Sequence, residues 1–126
     1  MRQMINLFNY PPLEPLLQLE TKFGAIDLHN DYECIEIKIF ESAITLKFSL
    51  IKPSNNYTPL SKISNLLLKF GKYQLDNLSN LSNEKLPLTL DNLSRAKNYS
   101  AFIFSFVEGE EYNISTEEAF IEIALC

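Results

Sequence analysis

Apolar and polar residues alternate most strictly between residues 35 and 51 of the chain. In IEIKI (35–39) every second residue is isoleucine, and ITLKFSLI (44–51) repeats the two-residue period. This is the period of a strand with one buried and one solvated face. Because only four residues separate the two stretches, we predict an antiparallel hairpin. The side chains predicted to face the core are Ile35, Ile37, Ile39, Ile44, Leu46, Phe48 and Leu50.

The two-residue period returns in two segments further along the chain. Between residues 63 and 78 the apolar side chains occupy even positions up to Phe70 and odd positions from Tyr73, with the change of phase at Gly71. A glycine at such a point predicts a bulge or a tight turn. AFIFSFVEG (101–109) predicts another strand. The side chains that share one face of this strand are Phe102, Phe104 and Phe106.

Strands are also expected at both ends of the chain. The segments 2–8 and 16–27 predict strands, separated by the prolines of YPPLEP (10–15), which interrupt regular structure. The C-terminal stretch predicts two strand pieces, about 111–115 and 119–125, because its isoleucines alternate and β-branched residues favour strands.

The links between these strands are polar. KPSNNYTP (52–59) and the stretch 78–88 predict loops, and TLDNLSRAK (89–97) predicts one or two helical turns. Ser115 and Glu118 have the spacing of a capping box, which leaves a short helix as the alternative near the C-terminus.

Six or more short strands with little helix predict a mostly β fold. We expect an antiparallel sandwich or an open barrel with at most one or two short helices. The 126 residues fit one β-rich domain, 1–126. That length is sufficient to bury a core without covalent staples.

The chain carries no targeting signal or disulfide framework that we can identify. The N-terminal stretch has no continuous apolar core of a signal peptide, and no run approaches the roughly 18 apolar residues of a membrane span. The two cysteines, Cys34 and Cys126, form neither a disulfide framework nor a zinc spacing. We therefore expect a cytoplasmic protein without membrane contact, with Cys34 as a small core residue and Cys126 in a loose tail.

The net charge of −5 is unevenly distributed, since residues 108–126 hold six acidic and no basic side chains. Such a balance disfavours nucleic acid as a partner and favours a basic protein surface. A solvated face is the alternative reading of the same segment. Tyr112 lies within it and is our candidate anchor, because tyrosine is frequent at interface hot spots. The predicted partner-binding residues are Glu108, Glu110, Glu111, Tyr112, Glu117, Glu118 and Glu122.

The one histidine of the chain, His29, lies in LHNDYECIEIKI (28–39), beside two aspartates at the start of the predicted hairpin. On a strand, Asp27, His29 and Asp31 would share a face, so an Asp–His contact is geometrically possible. However, no nucleophile motif such as GxSxG accompanies it, and no spacing of a metal or phosphate site occurs. We therefore predict no catalytic residue, metal or cofactor, and assign His29, Asn30 and Asp31 to a turn that begins the strand.

The order of these features resembles a family of small bacterial proteins. A histidine and an aspartate precede the strands 35–39 and 44–50, and LLKFG (67–71) and a further apolar stretch follow. This pattern is similar to β-rich immunity proteins that pair with polymorphic or contact-dependent growth inhibition toxins. Their His-Asp pair is adjacent, whereas Asn30 separates the two residues here. The resemblance implies a non-enzymatic protein that binds and neutralises one cognate toxin, and many toxins of this kind are nucleases.

Two other function classes remain open at the level of the sequence. One is a small-molecule-binding or accessory β-sandwich domain with an apolar pocket on the Phe102–Phe106 face. The other is a catalytic domain that uses His29 with Asp27 or Asp31.

Overall fold

A computed structural model describes residues 2–51, 63–97 and 100–124, and it is mostly β as predicted. Its described part contains ten strands, one short α-helix and one turn of 3-10 helix, Leu7–Asn9. In chain order these elements are β1 Arg2–Asn6, β2 Gln18–Thr21, β3 Gly24–Asp27, β4 Tyr32–Ile39, β5 Ala43–Leu50, β6 Asn65–Gly71, α1 Leu78–Ser82, β7 Leu90–Arg95, β8 Ala101–Phe106, β9 Glu111–Ser115 and β10 Glu118–Ala124.

The strands form three antiparallel sheets that stay open. The largest has five strands in the order β1-β10-β6-β5-β4, the second has the order β7-β8-β9, and β2 pairs with β3 in a hairpin. All the paired strands are antiparallel. The described part of the chain contains no helix that is both long and apolar enough to cross a membrane.

The core lies between the five-stranded and the three-stranded sheet. Phe70 of β6 is fully buried and contacts Phe102 and Phe104 of β8, with ring centroids 5.8 and 5.7 Å apart. Phe104 in turn stacks on Tyr112 at 5.2 Å. The alternation of the sequence explains this arrangement, because each strand turns one row of large side chains inward. Stacked and edge-to-face aromatic side chains therefore join the two layers.

The predicted hairpin is confirmed as β4 and β5, with one correction. Leu46, Phe48 and Ile44 are buried, and Ile37 and Ile39 are partly buried against the core. Ile35, predicted to face the core, is 40% exposed. The pairing shifts between Cys34 and Glu36, so Ile35 is the extra residue of a β-bulge and the inward row resumes at Ile37.

The phase change predicted at Gly71 is confirmed as a turn. β6 ends at Gly71, and Lys72 has a φ of 50°, which lies in the left-handed region. The prediction that the strand continues through Tyr73 and Leu75 is wrong, because only Gln74 forms a bridge there, to Ser115 of β9.

The largest error of the sequence prediction concerns residues 89–97. The expected helical turns are in fact the strand β7, and the predicted loop 78–88 contains the helix α1. The prediction of two strands at the C-terminus is confirmed by β9 and β10, so the helical alternative is wrong. The predicted loop 52–59, the end of the last predicted strand and Cys126 lie outside the described residues.

The N-terminal prediction is confirmed in outline. β1 ends at Asn6, before the 3-10 turn, and the segment 16–27 is a hairpin of two short strands and not one long strand. Cys34 is buried, as expected of a small core residue, and burial raises the pKa of its thiol to about 12.

Candidate functional site

The acidic C-terminal segment folds into two separate places. Glu108, Glu110 and Glu111 lie at the tight connection between β8 and β9, where Glu108 has a φ of 59°. Glu117 and Glu118 lie at the connection between β9 and β10, and Glu122 belongs to β10 in the five-stranded sheet. The six glutamates therefore do not form one continuous surface.

Helix α1 packs its polar side chains against the β8–β9 connection. The side-chain amides of Asn77 and Asn80 donate hydrogen bonds to the carboxylate of Glu110, at 3.0 and 2.7 Å. Asn77 also donates to the carbonyl oxygen of Glu111 at 3.3 Å. These bonds fix Glu110 in place while leaving it charged, since neutral amide donors do not cancel a carboxylate.

The two groups of glutamates differ in their electrostatic partners. Glu122 forms an ion pair with Arg2 at 2.7 Å, and Glu117 forms one with Lys72 at 3.6 Å. Within residues 2–51, 63–97 and 100–124, no ion pair reaches the three glutamates of the β8–β9 connection. Among the described residues, the negative charge of that connection is therefore not paired with a cation, and we call Glu84, Glu108, Glu110 and Glu111 the acidic end.

Tyr112 cannot serve as the partner-binding anchor that the sequence suggested. Its side chain is fully buried under the acidic end and stacks on Phe104. Its hydroxyl makes no hydrogen bond of regular geometry to a described residue, although the carboxylate of Glu84 lies close enough to interact with it. Burial raises the pKa of Tyr112 above its usual value, and the nearby carboxylates of Glu84 and Glu110 raise it further. The physical reason for the correction is the alternation in EYNIS, which turns Tyr112 and Ile114 inward.

Glu84 of the acidic end and the neighbouring Val107 were not found by sequence reasoning. Glu84 follows α1 in a stretch that carried no acidic run, so only the fold brings it near Tyr112. Val107, next to Glu108, is 42% exposed, although the sequence suggested only a turn after the strand that carries Phe102, Phe104 and Phe106. The signal available in the sequence was VEGEE, in which a large apolar residue directly precedes the glutamates.

His29, Asn30 and Asp31 lie in the turn between β3 and β4. The carboxylate of Asp27 accepts hydrogen bonds from the backbone amides of His29 and Asn30, both at 3.0 Å, and from the Asn30 side chain at 2.8 Å. Burial opposes the charge of Asp27, but these bonds and one from Gln18 outweigh it and lower the pKa. The aspartate thus organises the turn in the manner of an Asx motif.

His29 joins this turn to the second sheet. Its Nδ1 lies 2.8 Å from the carbonyl oxygen of Leu90 in β7. That distance fits a hydrogen bond from a protonated Nδ1 to the carbonyl, which selects the tautomer. This bond ties the imidazole ring to the backbone of β7 and fixes its orientation.

Asp31 is the one acidic residue of the turn that is buried, at 3% exposure. Its Oδ1 atom has no hydrogen-bond partner among the described atoms. Burial raises the pKa of Asp31, and repulsion by the charge of Asp27 raises it further. Asp27 and Asp31 are only four residues apart, yet their pKa values are shifted in opposite directions.

An open recess of about 420 Å³ surrounds the turn. Among the described residues, its lining includes three carboxylates and no serine, threonine, cysteine or lysine side chain. Among the described residues, no group of three His, Cys, Asp or Glu side chains is arranged to hold a metal ion. The residues that line the recess are Glu14, Pro15, Leu17, Gln18, Asp27, His29, Asn30 and Asp91.

The apolar pocket expected of a small-molecule-binding domain is not formed by the Phe102–Phe106 face. Phe102, Phe104 and Phe106 are at most 1% exposed. Phe102 and Phe104 contact Phe70, and Phe104 also contacts Tyr112 and Phe106. These rings fill the core and leave no access to a ligand from solvent.

No protein-family model matches the chain, and neither a characterised protein nor a solved structure matches it at a significant level. The likeness to immunity proteins therefore remains a prediction from the sequence pattern.

Proposed function

We propose that this chain is a non-enzymatic immunity protein that binds and neutralises a cognate bacterial toxin domain through its acidic end. The observation that carries the proposal is the set of uncompensated carboxylates at the β8–β9 connection, beside the exposed Val107. A basic cleft, such as that of a nuclease, is the complementary surface.

Uncompensated carboxylates suit this role for an energetic reason. Glu117 and Glu122 would have to give up their contacts with Lys72 and Arg2 before they could contact a partner. Within the described part of the chain Glu108, Glu110 and Glu111 have no such competing cation, so their field acts on an approaching basic surface over one Debye length, about 8 Å at physiological salt. We therefore assign the partner-binding surface to the acidic end and not to all the predicted glutamates.

The base of the acidic end is rigid, which favours tight binding. Glu110 is held by two amides of α1, and Tyr112 anchors the following strand in the core. A preorganised surface loses less conformational entropy on association than a mobile one. Val107 supplies an apolar contact next to the charges, as binding hot spots require desolvated centres with a polar rim.

The hydrogen bond between His29 and Leu90 supports a non-enzymatic function, because it gives His29 a role in holding the fold together. It ties the β3–β4 turn to β7, and Asp27 is occupied by its own hydrogen bonds. A Ser-His-Asp type of catalysis would need the ring nitrogen and the carboxylate to face each other and a nucleophile.

Rescue of growth by co-expression tests the proposal. The reading frame immediately upstream would be cloned, and its C-terminal domain expressed from an inducible promoter with and without this chain. We expect the domain alone to stop growth and the chain to restore it. His29→Ala should protect as well as the wild type. A toxic neighbouring domain that the chain fails to neutralise, or protection that depends on His29 in a stably folded variant, would contradict the proposal.

A further inference from the structure

Two sheet edges of this molecule are covered by its own chain. Along β7, the backbone amides of Leu13 and Leu16 donate to the carbonyls of Arg95 and Leu93, at 2.9 and 2.7 Å. Along β9, Gln74 exchanges two backbone hydrogen bonds with Ser115. Covering an edge in this way prevents further strands from adding to it.

Like the edge of β9, the edge of β4 is covered at one described point. Cys34 exchanges two backbone hydrogen bonds with Leu88, at 2.7 and 3.0 Å. Beyond the bulge at Ile35, no described backbone group pairs with the outer edge of the stretch 36–39. The open edge therefore runs from Glu36 to Ile39.

The register of the hairpin identifies the groups that this edge presents. The amide of Phe40 donates to the carbonyl of Ala43 at 2.8 Å, across the end of the hairpin. Hydrogen-bonded and non-hydrogen-bonded pairs alternate in an antiparallel ladder, so Lys38 and Glu36 also bond to β5. The amides and carbonyls of Ile37 and Ile39 consequently point outward and are available to a further strand.

The side chains of the open edge are self-complementary. Glu36 and Lys38 lie on one face, with 3.6 Å between Oε1 and Nζ, and both are about half exposed. In an antiparallel two-fold pairing centred on Ile37, Glu36 would lie opposite Lys38 of a second copy, and Lys38 opposite its Glu36. These would be non-hydrogen-bonded pairs, in which opposed side chains approach most closely, with Cβ atoms about 4.5–5.5 Å apart.

We propose that a second copy of this chain pairs with the open edge of β4, joining two five-stranded sheets into one continuous antiparallel sheet. The interface is isologous, as a two-fold dimer requires. Ile37 of each copy exchanges two hydrogen bonds across the axis, and two Glu36–Lys38 pairs flank it. This inference concerns a surface different from the acidic end and does not depend on the proposed toxin partner.

Apolar exposure at the two ends of the edge supports the assignment. Ile35 is 40% exposed and Phe40 is 53% exposed, and they flank the stretch that pairs. The edge of β1 offers a contrast, because a two-fold pairing centred on Met4 would place Arg2 opposite Asn6, with no opposite charge. The charge pattern therefore favours β4 as the edge that recognises itself.

The short pairing implies a reversible dimer. In the register centred on Ile37, only Glu36, Ile37 and Lys38 of each copy pair, so we expect a weak dimer with a dissociation constant on the order of 10–100 µM, as for small, transient interfaces. The test is sedimentation velocity of the wild type, E36K, K38E and the double variant E36K/K38E, from about 1 to 300 µM. Two opposite-charge pairs become like-charge pairs in each single variant, so we expect about tenfold weaker dimerisation.

The double variant decides between registers. E36K/K38E restores both opposite-charge pairs in the register centred on Ile37, so its dissociation constant should return to within about threefold of the wild type. E20K and K22E make the same changes of charge on the β2–β3 hairpin and should dimerise as the wild type does. Circular dichroism would confirm that every variant is folded.

Three results would overturn the inference. A wild type that remains monomeric up to 300 µM would exclude the dimer. Unchanged dimerisation of K38E would exclude the register centred on Ile37. In a register centred on Lys38, this substitution only replaces a Lys–Lys pair with a Glu–Glu pair, so dimerisation would not change. A double variant as weak as the single variants would show that the Glu36–Lys38 contacts do not form.

Discussion

At the residue scale, the turn between β3 and β4 places two aspartates in opposite environments. Asp27 accepts several hydrogen bonds, whereas Oδ1 of the buried Asp31 accepts none. A carboxylate that is buried without partners destabilises the folded state when it is charged. The same turn therefore contains one stabilising and one destabilising negative charge at neutral pH.

Asp31→Asn should raise the free energy of unfolding at pH 7 by roughly 1 kcal/mol, because it removes the buried charge. The pKa of Asp31 is raised in the folded state. Its penalty is therefore complete above that pKa, shrinks as the pH falls through it, and vanishes below the unfolded value near 3.8. Urea unfolding of both proteins from pH 3 to pH 7 measures the difference. A variant that is less stable at pH 7 would contradict the expectation.

Asp27→Asn is the matched control and should have the opposite sign. The pKa of Asp27 is lowered in the folded state, so its charge stabilises the protein above the unfolded pKa near 3.8. That contribution is lost as the pH falls through the folded pKa. The same urea series should therefore show Asp27→Asn as less stable than the wild type at pH 7, with the difference closing in acid.

Tyr112→Phe should change the free energy of unfolding by less than about 1 kcal/mol, since the hydroxyl is buried without a hydrogen bond of regular geometry to a described residue. Tyr112→Ala, in contrast, should cost about 3–5 kcal/mol through the cavity it opens beside Phe104. Thermal unfolding checks both variants. If Tyr112→Phe unfolded as readily as Tyr112→Ala, the hydroxyl and not the ring would hold β9 in place.

Part of this residue-scale account could be predicted from the sequence. The alternation in EYNIS predicts that Tyr112 faces inward with Ile114. The acidic residues around Tyr112 had instead suggested a partner-binding anchor at that position. The exposure of Ile35 could not be predicted. It results from the bulge, which depends on pairing with Phe48 and Lys47 of β5 and leaves no mark in IEIKI itself.

At the element scale, the end of β6 depends on a close approach to β10. A Cβ atom added to Gly71 would lie 2.6 Å from Oε2 and 3.2 Å from Cβ of Glu118. Gly71→Ala should therefore lower the free energy of unfolding by about 1–2 kcal/mol. The double variant G71A/E118A should recover most of that loss relative to E118A, because the clashing carboxylate is removed. Equal costs in both backgrounds, measured by urea unfolding, would place the strain elsewhere.

The strands that could be predicted are those whose inward row is uninterrupted. β5 and β8 keep a strict period of two, and their predicted positions agree closely with the structure, whereas β6 ends at Gly71, before the predicted end of that strand. β7 could not be predicted, because a bulge between Leu90 and Asn92 breaks its period and its other residues are mostly polar. It forms a strand because β8 and the segment 13–16 pair with its two edges, a tertiary effect that local sequence does not encode.

At the scale of the whole molecule, folding redistributes the charge that the sequence concentrates at the C-terminus. The segment 108–126 carries six acidic side chains, yet Arg2 and Lys72 come from distant parts of the chain to meet Glu122 and Glu117. Among the described residues, no ion pair reaches Glu118 or the three glutamates of the β8–β9 connection. The sequence could predict that an acidic surface exists, but its location depends on these long-range ion pairs.

The central claim is that the acidic end binds a basic toxin domain. The most direct measurement is the association rate constant between this chain and the purified C-terminal domain encoded immediately upstream, for the wild type and for E108K/E110K/E111K. E20K/E41K/E117K is the control, since it changes the net charge equally on other surfaces. Electrostatic steering predicts at least about a tenfold slower association for the first variant, with a weaker salt dependence, and less than about a threefold change for the control. Equal association rates for the wild type and E108K/E110K/E111K would contradict the account.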